Sequence, residues 1–184
     1  DGQPFKVGVA LVDVLTGAHS ATAIAAALDG GKGGRIEVPL LDTALAGLVN
    51  VTQTTLVTGT PPRRFGNAHA NIVPYQDFET ASGRIAIAAA NDGQFRALCR
   101  AIGLDGLGSD PRFATNPDRV RHRDELIELL EARLRERPAE DWVAVLDAVG
   151  LPVGHVRTVP EALAAAADAG HPATITVDHP TAGP

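Results

Sequence analysis

Hydrophobic positions along the chain fall into short patterned runs punctuated by glycine, proline and charge. Val7-Gly8-Val9-Ala10-Leu11-Val12 is an apolar run closed by Asp13, which suits a buried strand or a strand-to-helix approach. The alanine-rich stretch 16–28 has strong helix propensity, and its small side chains permit close packing. Gly30-Gly31-Lys32-Gly33-Gly34 then breaks the chain. Residues 35–38 read as a short strand and 40–56 as another buried helix. Residues 75–80 and 84–90 flank Ala81-Ser82-Gly83, the pattern of a β-hairpin. A helix over 93–102 follows, with Asn91 or Asp92 as its cap.

Asn116-Pro117 reads as a cap residue followed by proline in the first helical position. The helix it opens carries Val120, Ile127, Leu130 and Leu134 on one side. Pro138 starts the next, with Trp142, Val145, Leu146 and Val149 in helical spacing and Gly150 as terminator. Residues 153–158 and 173–177 are strand candidates around a short helix over 160–169. Helices and strands alternate without an internal repeat. The expected class is α/β or α+β, in two lobes hinged near the Gly-, Pro-, Arg- and Asn-rich segment 58–74.

Composition narrows the function. The 184 residues suit one domain or slightly more, and 31 alanines with Val, Leu and Ile must fill the core, because methionine is absent. Sixteen Lys+Arg against 22 Asp+Glu give a net charge of −6, which removes the usual electrostatic source of nucleic-acid binding. The single Cys99 excludes an internal disulfide framework and a cysteine-built zinc site, and its helix-like surroundings suggest a buried, inert thiol. A reducing cytoplasmic setting fits. No run of about 18 apolar residues is apparent, so no membrane-spanning helix is expected, nor is a signal peptide. A start at Asp1, in a loop leading into an apolar segment, suggests that an N-terminal part is missing.

Asp13 is the strongest chemical candidate. A carboxylate just before a helix start interacts favourably with exposed N–H groups and the positive end of the helix dipole, which suits a nucleophile or a base and equally suits a plain capping aspartate. The loop 29–35 is no Walker loop, since Lys32 is followed by Gly33-Gly34 and a strand; it reads as a surface connection. Gly66-Asn67-Ala68-His69-Ala70-Asn71 is polar and flexible. Such a loop closes over ligands or supplies amide donors to an oxyanion, and alone it is also an ordinary turn. The other histidines show no paired ligand spacing, and no metal site is expected. His19 suits a packed or interface histidine, and His122 lies among arginines on a solvated face.

Taken together, these segments resemble the class III CoA-transferases, the CaiB/BaiF group that contains formyl-CoA transferase, carnitine CoA-transferase and α-methylacyl-CoA racemase. The resemblance is carried by Val9-Ala10-Leu11-Val12-Asp13-Val14-Leu15-Thr16-Gly17-Ala18-His19, by Ile36-Glu37-Val38-Pro39-Leu40-Leu41-Asp42 and by Gly66-Asn67-Ala68-His69-Ala70-Asn71-Ile72-Val73-Pro74-Tyr75. Asn91-Asp92-Gly93-Gln94-Phe95, Asp110-Pro111-Arg112-Phe113-Ala114-Thr115-Asn116 and Val149-Gly150-Leu151-Pro152-Val153-Gly154 follow in order. The resemblance implies the end of a Rossmann-like large domain over 1–57, a linker and active-site loop over 58–74, a smaller α+β domain over 75–160 and a return segment over 161–184. It also implies an interlocked homodimer for the full-length parent, no permanently bound cofactor, and coenzyme A as substrate.

By the same resemblance Asp13 is the nucleophile. It attacks an acyl-CoA thioester, and CoA passes through an aspartyl anhydride and an aspartyl-CoA thioester to a carboxylic acid acceptor. Gly66, Asn67, Ala68, His69 and Asn71 then stand at the mobile substrate loop, where formyl-CoA transferase has a run of glycines. A racemase of the same family is the rival, but such enzymes tend to carry a glutamate before the phenylalanine at the position of Phe95, and none stands here. A third reading is a chain with no activity of its own that only docks to a partner.

Overall fold

The computed structural model describes residues 6–31, 33–171, 173–178 and 180–181. Lys32 and His179 lie outside them. The chain divides into two compact units, residues 1–64 and 65–184.

Helices supply all the regular structure of the first unit among the described residues. Helix α1 (Leu11–Asp29) packs on α2 (Leu40–Gly47), and α3 (Asn50–Thr58) follows a break at Leu48-Val49. Gly47 lies at that contact, where an added Cβ would stand 3.1 Å from Leu15 Cδ1 and press on the leucine tip. Of the two readings of 7–12, the approach into a helix is the one present, with helix from Leu11 and no strand before it among the described residues, and the strand expected over 35–38 is irregular. Both lack a neighbouring strand in this unit, and a lone strand has no ladder to satisfy its backbone groups. The single helix expected over 40–56 is two helices, exposed rather than buried; Val49, at φ 44°, turns the chain between them.

Helix α1 also corrects the expectation about membrane-length helices. Its 19 residues reach a mean hydropathy of 1.4, enough by length and composition to cross a bilayer. The sequence hides this because polar residues interrupt the apolar run. Thr16, Ser20 and Thr22 return their hydroxyls to the carbonyls of Val12, Thr16 and Ala18, which reduces their polar cost. Core helices of water-soluble proteins share these properties.

The second unit is built around an antiparallel sheet of β1 (Tyr75–Glu79), β2 (Arg84–Ala88) and β3 (Val153–His155), in that order. The expected hairpin is present, with Phe78 opposite Ile85 and Gly83 at φ 81° accommodating the turn. Ile85 and Ile87 point to the core while Ala86 between them is exposed, the alternation of a one-sided sheet. Helix α4 (Asp92–Ala101) contributes Phe95, Leu98 and Cys99, with Ile102 just beyond it, spaced to form one buried face. Burial pushes the Cys99 thiol up to about 12, so the expected inert thiol is what the fold provides.

After the short α5 (Asp105–Ser109), the helix expected from Asn116 onward is two: α6 (Asn116–Arg121) and α7 (Arg123–Leu134), broken at His122. The cap is Thr115 in a reciprocal capping box with Asp118, not Asn116, whose side chain is used elsewhere. Leu126, Leu130 and Leu134 of α7 and Trp142 and Leu146 of α8 (Ala139–Asp147) complete the core. Trp142 Nε1 donates to the Leu134 carbonyl at 2.8 Å, so the buried indole leaves no unmet donor. The last helix, α9 (Val159–Asp168), opens with a Thr158–Glu161 capping box. Residues 173–177 form no strand.

Candidate functional site

Asp13 stands in the first turn of α1, two residues inside the helix rather than at its cap; Ala10 occupies the cap position and makes no side-chain cap bond. Its carboxylate is exposed, at the end of the helix where backbone N–H groups carry partial positive charge. Thr16 and Gly17, three and four residues on, share its helix face. His19, six residues on, does not, and it is exposed, with Nδ1 donating to the Leu15 carbonyl at 2.9 Å. The packed histidine expected there is therefore a solvent-facing one within this unit.

The segment 66–71 belongs to the second unit, and its geometry is far more fixed than its polarity suggests. Gly66 turns the chain at φ 60°, and Ala68 N–H donates to the Phe65 carbonyl at 3.1 Å. His69 N–H donates to the Tyr75 carbonyl at 2.8 Å, and the imidazole stacks on the Tyr75 ring at 5.3 Å between centroids and 11° between planes. Asn71 N–H donates to His69 Nδ1 at 3.1 Å. The amides of Ala68, His69 and Asn71 are thus engaged within the chain, and an oxyanion site built on them would require those bonds to be exchanged.

Three side chains from the α6–α7 region, Asn116, Arg119 and Arg123, bond to the backbone of residues 69–73. Asn116 Nδ2 donates to the Asn71 carbonyl at 2.8 Å, and Asn116 Oδ1 accepts from Val73 N–H at 3.1 Å. Arg119, fully buried, donates from Nε to the Val73 carbonyl at 2.6 Å, from Nη1 to the Phe113 carbonyl at 3.0 Å and from Nη2 to Asp92 at 2.9 Å. Its guanidinium lies 4.4 Å from the centre of the Phe95 ring. Arg123 Nη2 donates to the carbonyls of His69 and Ala70 at 2.9 and 2.8 Å, over the Phe65 ring.

Asn67 is tied to the sheet. Its side chain hydrogen-bonds the Asp77 carboxylate, which also accepts from Arg84 Nε at 2.6 Å. Partial burial pushes the Asp77 carboxyl up, but the bonds from Arg84 and Asn67 outweigh it and hold the group below the ordinary carboxylate value. Beside the segment, a hollow of about 370 Å³ is lined by Phe65, Gln76, Arg123, Ile127 and the carboxylates of Asp124, Glu128 and Glu131. That lining is unfavourable for an anionic ligand, because three acidic groups face one arginine already donating to the backbone.

Asn116, Arg119, Arg123 and Asp77 did not stand out as site residues in the sequence. Asn116, Arg119 and Arg123 do recur along one side of a helical run read for its leucines, but that spacing does not tell which backbone they reach, and Asp77 has no local signal.

Comparison with known proteins identifies the setting of these residues. The sequence profile of CoA-transferase family III matches residues 1–184. The chain belongs to CoA-transferase family III. A succinate–glutarate CoA-transferase of Agrobacterium fabrum is 39% identical over 168 residues, covering 89% of this chain and 42% of that protein. An acetyl-CoA:oxalate CoA-transferase of Acetobacter aceti is 38% identical, covering 88% of this chain and 43% of that one. The human succinyl-CoA:glutarate CoA-transferase is 33% identical, covering 100% and 43%. Among solved structures, a CaiB/BaiF family protein from Brucella suis superposes with a TM-score of 0.68 at 41% identity, covering 89% of this chain and 44% of that one. The Mycobacterium tuberculosis protein Rv3272 superposes with a TM-score of 0.77 at 29% identity, covering 92% and 46%. This family III chain therefore spans less than half the length of these relatives, and its mixed helix-and-sheet architecture is shared with the CaiB/BaiF structures.

Proposed function

We propose that the full-length protein transfers CoA between short dicarboxylic acids, with Asp13 as the nucleophile and segment 66–71 against the substrate. The family match over residues 1–184 carries the reaction class. The names of the relatives, which include succinate, glutarate and oxalate, support the choice of acids. The position of Asp13 in the first turn of α1 fits a nucleophile: its carboxylate is accessible and stands at the helix end whose N–H groups carry partial positive charge.

In this reading an Asp13 carboxylate oxygen attacks the thioester carbonyl, the carbon–sulfur bond breaks and CoA leaves as thiolate. The mixed anhydride is then attacked by that thiolate at the Asp13 carbonyl. The donor carboxylate is released and an aspartyl-CoA thioester remains. The acceptor carboxylate attacks this thioester and again expels the thiolate, which takes the acceptor's acyl carbon and regenerates the Asp13 carboxylate. No proton is gained or lost over the cycle. Water must be kept out, because hydrolysis would destroy either activated state. The full-length protein acts as a homodimer in this proposal.

The test is intact-protein and peptide mass spectrometry of the full-length enzyme incubated with succinyl-CoA alone. A covalent CoA adduct on the peptide containing Asp13, converted to a hydroxamate by hydroxylamine, is expected. Asp13→Asn should abolish the adduct and lower succinyl-CoA:glutarate exchange by at least about 10³-fold, the scale of removing a covalent catalyst. Exchange of the substrate α-proton with deuterated solvent, with Asp13 unmodified, would replace transfer by racemisation.

A further inference from the structure

We propose that Arg123 and Asn116 are positioning residues that fix the imidazole of His69 with Nδ1 as hydrogen-bond acceptor and Nε2–H as donor. This makes His69 a hydrogen-bond donor for the carboxylate or acyl oxygen of the substrate; the substrate half of the inference rests on segment 66–71 being the substrate loop.

Arg123 Nη2 takes the carbonyls of both His69 and Ala70. In a planar trans peptide the N–H points opposite to the C=O, so the N–H groups of Ala70 and Asn71 are turned away from Arg123. Asn71 N–H then meets His69 Nδ1 at 3.1 Å. A nitrogen that accepts from an amide cannot carry a proton, so the neutral ring is protonated at Nε2. Asn116 fixes the far side of the same peptide run, through the Asn71 carbonyl and Val73 N–H. Stacking on Tyr75 and the bond from His69 N–H to the Tyr75 carbonyl set the plane of the ring.

The resulting imidazole is half-buried, oriented on one side by the segment's own backbone and able to donate from the other nitrogen. An Nε2–H donor recognises an oxygen bearing negative charge, which is what a dicarboxylate acceptor offers and what develops on a thioester carbonyl under attack. His69 is the group that meets that oxygen in this scheme; Arg123 and Asn116 act only through it.

The test is ¹⁵N–¹H correlation of the imidazole nitrogens in the 184-residue chain across a pH series, with the tautomers read at its alkaline plateau. His69 should show the Nε2–H tautomer almost alone. Arg123→Met and Asn116→Ala should each give a mixture of tautomers at His69 while leaving the His155 signals in place, and Arg123→Lys, which keeps a cationic donor at that position, should lie closer to the wild-type pattern than Arg123→Met. A wild-type His69 in the Nδ1–H tautomer would overturn the assignment without any variant, so poor folding of Arg123→Met does not block the test. An unchanged tautomer in folded Asn116→Ala and Arg123→Met would overturn the positioning role.

In the full-length enzyme the same two variants should raise KM for the acceptor by about 10-fold or more, with a smaller change in kcat. Unchanged kinetics beside a disturbed tautomer would leave the positioning role intact and sink the substrate-loop reading beneath it.

Discussion

The carboxyl group of Asp77 joins the candidate loop to the sheet, through Asn67 on one side and Arg84 on the other. With its side chain 13% exposed, this contact is shielded enough to matter for stability. Its pKa is lowered in the folded chain, so its contribution is fully present above the ordinary value of 3.8 and is lost as pH falls below it through the folded value. Asp77→Asn should therefore cost about 1–2 kcal/mol at pH 7, the scale of a charged hydrogen bond, and less at pH 2 than at pH 7. Urea unfolding of both proteins at the two pH values measures this; an equal deficit at pH 2 would mean that shape rather than charge is at stake. At this scale the sequence was legible where the local pattern carried the residue, as for the buried Cys99, and silent where a role depends on a distant backbone. Nothing in the spacing of Arg119 reveals that its guanidinium will reach Val73, 46 positions earlier, because hydrogen bonds to carbonyls leave no partner side chain to read.

Helices of the second unit announce themselves because their ends and their buried faces agree. Asn91 was a cap candidate and is one: its side chain accepts from Gln94 N–H at 2.9 Å, while Gln94 returns Oε1 to Ala90 N–H at 2.8 Å. Asn91→Ala should remove one of these satisfied donors and cost about 1 kcal/mol, read as a lower urea midpoint with an unchanged slope. A loss below a few tenths of a kcal/mol would show that Gln94 alone holds the end. The break at His122 was missed for a related reason. The leucine spacing continues smoothly through 120–134, but Arg119 and Arg123 bond to the segment 69–73, and that row of contacts overrides the run of helix propensity. The unformed strands at 35–38 and 173–177 mark the opposite case. Their residue types suit extended structure, yet pairing depends on a neighbour, which local pattern does not reveal.

The two units differ in how much of their apolar surface they bury. In the second, among the described residues, 16 of the hydrophobic side chains at 78–151 and Val73 form one contiguous core. In the first, Leu28, Leu41, Leu56 and Val57 are 76%, 69%, 75% and 74% exposed, and Thr43 is the one buried residue among those described. Full burial of such a side chain is worth roughly 1.5–3 kcal/mol, so the first unit forgoes most of what stabilises the second. It follows that residues 1–64 open first. Brief trypsin treatment of the 184-residue chain should cut at Arg35 and at Arg63 or Arg64 before any site within 84–137, leaving a resistant product that begins at 64 or 65. The full-length protein provides the contrast, because chain that covers α1 to α3 would bury those side chains and slow the same early cuts. Isolated 184-residue protein should likewise fail to exchange CoA, since its first unit would hold Asp13 on a helix without a fixed surround. Early cleavage at Arg35, Arg63 and Arg64 at the same rate in both proteins would show that nothing in the longer chain covers these helices, and CoA exchange by the isolated chain, abolished by Asp13→Ala, would show that none is required.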